Sequence, residues 1–400
     1  MSRGTRGALL GALALVGLAG LLLVNLRYAR QHPGGAAFWP LWQGTRGWLL
    51  QGTSPYAPPS AGPQPPWAAG RAFDLPPALA LLLTPYALVA DYALARALWM
   101  LTLEVALLAT PILAAWALRG PRGARLALAV AFALLGPWGV AAVVDGRVTA
   151  LLLPLAVLAA YGWRRGWTWP ATLLAQPLWA RPVLFGPWLL VWALWLFSRS
   201  DRRGAALAWA AASGGVFALS SLLVPHWFAA YVQAWLHNRL LDGPVLWGWP
   251  HALAQALPGL GGKLGWAVAA VTAGVLLVES LHTARKSWLH AAWTASLALA
   301  WVPWLGLPAA PSDTALAALL AGLLVWALWD QRWLYGPRAV VLTAAGGWLL
   351  AWLAVRGPGG AFPPHLGLGL SYGWGPLLVG LGLYSVRWWA THADWWAQEP

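Results

Sequence analysis

The sequence predicts an all-α fold, a polytopic bundle of membrane-crossing helices, and charge content, hydropathy and basic-loop spacing predict it. Only 9% of the 400 residues are charged while 60% are hydrophobic, against about 25% charged in soluble globular chains. A soluble protein of this size could not cover its surface with so few charges. The apolar runs are continuous, with short loops rich in Arg, Pro and Gly between them, and mean hydropathy is +0.61. A run of roughly 20 helical residues crosses a hydrocarbon core. Backbone groups in lipid must be satisfied internally, so such runs are read as helices.

The first run, about 8–26, follows Arg3 and Arg6 and reads as an uncleaved first helix. It is longer than a secretory h-region and lacks a small-x-small site before Asn25 and Arg27. Basic clusters mark cytoplasmic loops: Arg119/Arg122/Arg125, Arg164/Arg165, Arg199/Arg202/Arg203, Arg285/Lys286 and Arg332/Arg338. Each interval between clusters then holds an even number of crossings. The pairs are 126–144 with 148–163, 168–180 with 183–198, 205–224 with 264–283, 288–308 with 314–329, and 339–355 with 374–390. Residues 76–118 are broken near Asp91–Arg96. Either 76–90 is a short re-entrant or interfacial piece or the Arg119 cluster is outside; five later intervals favour the first. The tally is about 12 crossings, within about 11–13, with both termini cytoplasmic.

Residues 1–400 read as one integral membrane domain without internal repeats, carrying outer loops over 27–75 and 225–263. Each loop holds an expected interfacial amphipathic helix. Phe38, Leu41, Trp42 and Leu49 form one face, and Trp227, Phe228, Tyr231 and Trp235 form another, opposite His226, Gln233 and His237. Most of the 34 tryptophans are read as aromatic belts at the membrane edges. Cysteine is absent, so thiolate metal sites and disulfides are excluded. The net charge of +14 is almost all arginine, and it suits membrane topology and contact with anionic membrane lipids better than nucleic acid. Scarce Lys, Asn and Met suggest a thermophilic or high-GC bacterium.

Eleven acidic residues allow each to be weighed. Asp201, Asp330, Asp394 and Glu399 read as solvated inner or tail residues, and Asp91 as a helix-turn residue. Glu104 and Glu279 lie in apolar runs, where structural pairing is the favoured account. Asp74, Asp145, Asp242 and Asp313 fall on the outer side, with Arg46, Arg71, Arg147 and Arg181. Arginine offers phosphate a planar two-pronged fork, so a phospholipid-type ligand suits these turns. Ordinary headgroup snorkelling accounts for them equally well. No zinc-hydrolase, serine-hydrolase or phosphate-loop motif occurs, and no metal site or cofactor is expected.

The order of motifs resembles glycosyltransferase family 87, the polyprenyl-phosphate-sugar-dependent GT-C enzymes typified by α-1,2-mannosyltransferases. FWPLWQGTRGWLLQGTSPY (38–56) and FDLPPALALLLTPYALV (73–89) resemble the family's first outer loop. Gly52, Pro55 and Tyr56 match Gly-x-x-Pro-Tyr; Phe73, Pro76 and Pro77 match the proline box; Leu98-Trp99 matches its Leu-Trp. DGRVTALLL (145–153) resembles the Gly-Gln-x-Asn turn through Gly146, and Arg181-Pro182 stands for Lys-Pro. The resemblance covers about residues 5–240. It implies a GT-C-like fold and transfer of a mannose-like hexose or pentose from a polyprenyl-phosphate donor, at the outer face of the cytoplasmic membrane. In the family an Asp before the Phe is the expected base, and here it is Ala37; the turn's Gln and Asn are Arg147 and Thr149. The resemblance therefore leaves two alternatives. Asp74 or Asp145 substitutes, Asp74 being preferred for its place in the proline box, or the chain is a non-catalytic relative that binds lipid-linked sugars or envelope partners. A transporter of lipid-linked substrates is a third expectation. In the enzyme reading Arg147, Arg181 and Arg46 hold the donor phosphate, with Tyr56, Pro76 and Pro77 shaping the substrate loop.

Overall fold

A computed structural model describes residues 3–57, 65–68, 70–241, 248–356 and 375–392. The described chain is helical, with no strand. Asp242, Asp394, Glu399 and the Gly/Pro-rich stretch before the last helix lie outside the described residues. Among the described residues five helices are long and apolar enough to cross a membrane: Gly11–Gln31, Tyr92–Leu118, Ser200–Leu223, Gly261–Thr283 and Ser312–Arg332. That is consistent with a multi-pass membrane protein. Length and apolarity alone do not give the expected twelve, because proline shortens several runs.

The stretch expected as one helix over 126–144 is two, α6 (Ala124–Leu135) and α7 (Pro137–Asp145), bent by 46° at Gly136-Pro137. Proline lacks the donor that would continue the ladder, and its ring fits only the first turn. Residues 168–180 divide into α9 (Thr168–Ala175) and a 3₁₀ turn, Gln176–Ala180, before α10 (Pro182–Phe197). Residues 288–308 give α15 (Trp288–Ala300) and a 3₁₀ turn holding Pro303. The stretch 76–90 is indeed short and broken, as α3 (Pro77–Ala80), a 3₁₀ turn and α4 (Thr84–Ala87). Its boundary with α5 (Tyr92–Leu118) falls at Asp91, the first residue of the expected Asp91–Arg96 break. The Asp91 carboxylate accepts the Ala93 N–H at 2.9 Å and starts α5, leaving Arg96 inside the helix.

The basic clusters gather at one end of the bundle. There α5, α8 (Thr149–Arg164), α10, α14 (Gly261–Thr283) and α16 (Pro311–Arg332) all finish. Arg164 donates to the Ala117 carbonyl (3.1 Å) and Gln331 to that of Leu118 (2.6 Å). Trp195 and Arg202 both donate to the Lys286 carbonyl, and Arg125 pairs with Asp330. At the opposite end lie the C-terminus of α1 (Arg3–Gln31), α2 (Trp39–Gln51), the start of α5, the end of α7 and the 180–182 turn. Two apolar-run acids are paired inside the bundle: Glu104 accepts from Asn25 (2.8 Å), and Glu279 accepts from Arg387 (2.9 Å) on α18 (Gly375–Thr391).

Packing bears on two expectations. The apolar face of α2 is covered largely by protein: Phe38 and Leu41 are fully buried and Trp42 nearly so, leaving Leu49 outward. Likewise, of the expected face of α12 (Trp227–Leu241), Trp227 and Tyr231 are buried, Trp235 is half-buried and Phe228 is exposed. Nor do all the tryptophans lie at the periphery: among the described residues nine of the 34 (42, 99, 163, 188, 192, 195, 227, 293 and 326) are buried. A buried indole N–H is favoured by a partner, and backbone carbonyls supply several. Trp99 donates to Gly146 (3.0 Å), Trp195 to Lys286 (3.1 Å) and Trp293 to Leu383 (2.7 Å). In a chain poor in Asn, Gln and Lys, indole joins helix to helix.

The Asp145-Gly146-Arg147 turn shows the tightest approach. Gly146 ends α7 with φ +77, and an added Cβ would lie 2.5 Å from Phe38 Cβ and 3.2 Å from the Trp99 ring. Replacing Gly146→Ala therefore combines left-handed strain with a core clash. We expect a loss of about 1–3 kcal/mol, measured by thermal unfolding in detergent; an unchanged melting temperature would contradict this packing.

Candidate functional site

The loop end is built on a stack of aromatic rings. Phe38 lies against Trp99, ring centroids 5.3 Å apart and nearly parallel, and Gly146 closes over both. The Ala37 N–H donates to the Asp145 carbonyl at 3.0 Å. Position 37 thus sits directly beside Asp145. Arg96, 1% exposed, donates to the carbonyls of His32 (2.6 Å) and Val144 (3.0 Å). These carbonyls lie at the ends of α1 and α7, where the helix dipole favours a cation. One guanidinium therefore ties the first loop to the Asp145 turn.

The proline box is fastened from three sides. Tyr56 donates to the Leu75 carbonyl (2.5 Å) and meets Phe73 edge-on, centroids 5.3 Å apart. Asn238 of α12 clasps Ala72, donating to its carbonyl and accepting its N–H, each at 2.7 Å. Pro76 and Pro77 are buried, Pro77 opening α3, and the Ala78 N–H reaches Ser220. This bracing directs Asp74 inward.

Four of the expected site residues converge. Arg181 pairs with the Asp74 carboxylate at 3.1 Å and also donates to the Asp74 carbonyl at 3.2 Å, with both side chains under a tenth exposed. Arg147 reaches Asp145 at 3.3 Å and Asp313, in the first turn of α16, at 3.5 Å. Asp313 also bears electrostatically on Arg181, which couples the Asp74–Arg181 pair to the two ion pairs of Arg147. Burial opposes the Arg181 charge; Asp74 above all, with Asp313 and Tyr231, outweighs it and holds its pKa above the ordinary arginine value. Burial pushes the Tyr56 phenol well up, helped by Tyr231 and Asp74. The Thr149 hydroxyl is buried beside this turn without a hydrogen-bond partner.

Arg46 is not in the cluster. It donates to the Ala87 carbonyl (2.9 Å), lies over the Trp42 ring, and lines a cavity of about 640 Å³. That cavity is walled by α2, the Tyr56 loop, Arg71, Phe73 and His237, and Arg181 does not line it. Sequence reasoning passed over Arg96, Asn238 and, as a site residue, Asp313. A guanidinium just inside an apolar helix is a signal for Arg96. Asn238 is one of two asparagines, and both anchor another segment.

The described residues thus form an all-helical chain with several membrane-length apolar helices and a buried ionic cluster at the end opposite its basic loops. Compared with family models, curated proteins and solved structures, the chain finds no match in any of the three. Among the described residues no group of three or more metal-ligand side chains is assembled.

Removing one partner of a buried ion pair strands the other. Asp74→Asn and Arg181→Met are each expected to cost about 3–5 kcal/mol. The double variant should cost clearly less than their sum, as a double-mutant cycle in detergent would read; additive losses would contradict the pairing. Because the folded state raises the Tyr56 pKa, its contribution is complete below the unfolded tyrosine value of about 10 and declines as pH climbs above it. Tyr56→Phe should therefore flatten the alkaline fall in melting temperature; an unchanged slope would place Tyr56 in water.

Proposed function

We propose that this chain is a GT-C-type glycosyltransferase of the cytoplasmic membrane, with about 12 crossings and both termini inside, acting at the outer face. It transfers a mannose-like hexose or pentose from a polyprenyl-phosphate donor, as the resemblance to glycosyltransferase family 87 implies. One observation carries the reading. The family-like positions, far apart in sequence, meet at the acidic turns: Phe38, Trp99 and Gly146 pack together at the Asp145 turn, and Tyr56 and Phe73 brace the segment whose Asp74 pairs with Arg181.

Inverting transfer needs a carboxylate to take the acceptor hydroxyl proton as its oxygen attacks the anomeric carbon and the bond to phosphate breaks. The geometry favours Asp145 over Asp74 for this role. Asp145 adjoins position 37 and its side chain is 42% exposed, whereas Asp74 is 9% exposed and held by Arg181. Arg147 is the guanidinium able to meet the donor. Its contacts of 3.3 and 3.5 Å are at the long limit of hydrogen bonding, so phosphate oxygens compete well for it. Turning Arg147 to the donor frees the Asp145 carboxylate for the acceptor and places positive charge on the leaving phosphate. Arg181, braced by Asp74, positions the floor of the site.

Ala37 supports a second reading, a relative that binds the lipid-linked sugar without transferring it. The test is turnover and binding with a reconstituted protein and polyprenyl-phosphate mannose. Asp145→Asn should lower turnover by about 10²–10⁴-fold with donor binding retained, while Arg147→Gln weakens binding. Binding with no turnover in the wild type would establish the second reading. Vesicle transport without a glycosidic product would contradict both.

A further inference from the structure

The cavity beside α2 is separate from the ionic cluster. None of Asp74, Asp145, Arg147 and Arg181 lines it, and among the described residues no acidic side chain does. Its volume of about 640 Å³ falls within the range of about 300–1,000 Å³ usual for small-molecule sites. One helix face builds most of it. Gln43, Arg46, Gly47 and Gln51 recur at the three- and four-residue spacing that aligns side chains along a helix. Gly44 lets that helix approach the loop, since an added Cβ would lie 2.7 Å from the Phe73 ring and 3.1 Å from the Pro55 carbonyl oxygen. The helix stops at Gly52, whose left-handed backbone (φ +67) returns Thr53 and Ser54 to the same cavity.

The polar groups of this wall are available. The side chains of Gln43, Gln51 and Thr53 make no hydrogen bond among the described residues. Arg46 uses one nitrogen on the Ala87 carbonyl and lies over the Trp42 ring, and among the described residues no carboxylate pairs with it. Two amides and a hydroxyl offer donors and acceptors together, which suits a polyol. The guanidinium fork suits the oxygens of a phosphate or carboxylate. Trp42 and the half-buried Tyr56 add aromatic surface on which the C–H face of a sugar ring can rest. No leucine, isoleucine, valine or methionine lines the cavity among the described residues, so a hydrocarbon chain would find little to pack on.

We infer that this cavity binds a sugar bearing an anionic group, a phosphate or a carboxylate, with Arg46 holding the anion and Gln43, Gln51 and Thr53 the hydroxyls. It is a second site, separate from the Asp145–Arg147 turn proposed for the lipid-linked donor. The inference rests on the cavity alone and is independent of the transfer reaction. A free inorganic anion would use Arg46 and leave the amides and the aromatic surface without a role.

Isothermal titration of the full chain in detergent tests it, with glucose 6-phosphate, mannose 6-phosphate and glucuronate as anionic sugars and with glucose and inorganic phosphate as controls. We expect at least one anionic sugar to bind at least about tenfold more tightly than either control. Arg46→Gln should weaken that sugar at least about tenfold and Gln43→Ala about threefold, while Arg147→Gln leaves its affinity unchanged. Gln51→Glu, an exposed exchange that sets a carboxylate in the wall, should also weaken it at least about tenfold and serves if Arg46→Gln does not fold. No binding of any anionic sugar, equal affinity for glucose or for phosphate, or loss of binding in Arg147→Gln but not in Arg46→Gln would overturn the inference.

Discussion

The loop end depends on the buried pairing of Asp74 with Arg181. Neither charge could remain at that depth alone, since an uncompensated buried ion is costly. The pair therefore requires the proline box and the 180–182 turn to meet. Because Arg181 holds both the carboxylate and the backbone carbonyl of Asp74, it fixes the chain as well as the charge. The Asn238 clasp, the Tyr56 hydrogen bond and the buried prolines reinforce a position that the ion pair specifies.

The cluster combines two kinds of contact. Asp74–Arg181 is short and enclosed, suited to holding shape. Arg147 is shared between Asp145 and Asp313 at longer distances, with Asp145 far more open than Asp313. Such an arrangement can exchange partners, because Asp313 and the dipole of α16 interact favourably without Arg147's full attention. Rigidity on one side and exchange on the other would let a donor phosphate enter without unfolding the loops.

Much of the architecture was legible in the sequence because its signals are local. Continuous apolar runs give helices, and arginine clusters collect at one end, as Arg164, Arg202 and Arg125 show by their contacts with Ala117, Lys286 and Asp330. The broken stretch at 76–90 was visible in its prolines. The grouping of Asp74, Asp145, Arg147 and Arg181 followed from their shared side of the bundle. What remained illegible concerns direction. An amphipathic face does not say whether lipid or protein covers it, and for Phe38, Leu41, Trp227 and Tyr231 the partner is protein. Composition likewise cannot separate belt tryptophans from those, such as Trp99 and Trp293, that bond to another segment. Arg46 shares the loop but not the cluster, since its reach is taken by Ala87.

The central claim is that Arg147 and the Asp145 turn receive a lipid-borne phosphate. Its most direct measurement is an electron cryo-microscopy structure of the full chain in nanodiscs with a non-hydrolysable polyprenyl-phosphonate sugar. The account predicts the phosphonate within hydrogen-bonding reach of the Arg147 guanidinium, the sugar toward Ala37, and Arg147 withdrawn from Asp145. A phosphonate bound elsewhere, with the Arg147 contacts to Asp145 and Asp313 intact, would contradict it.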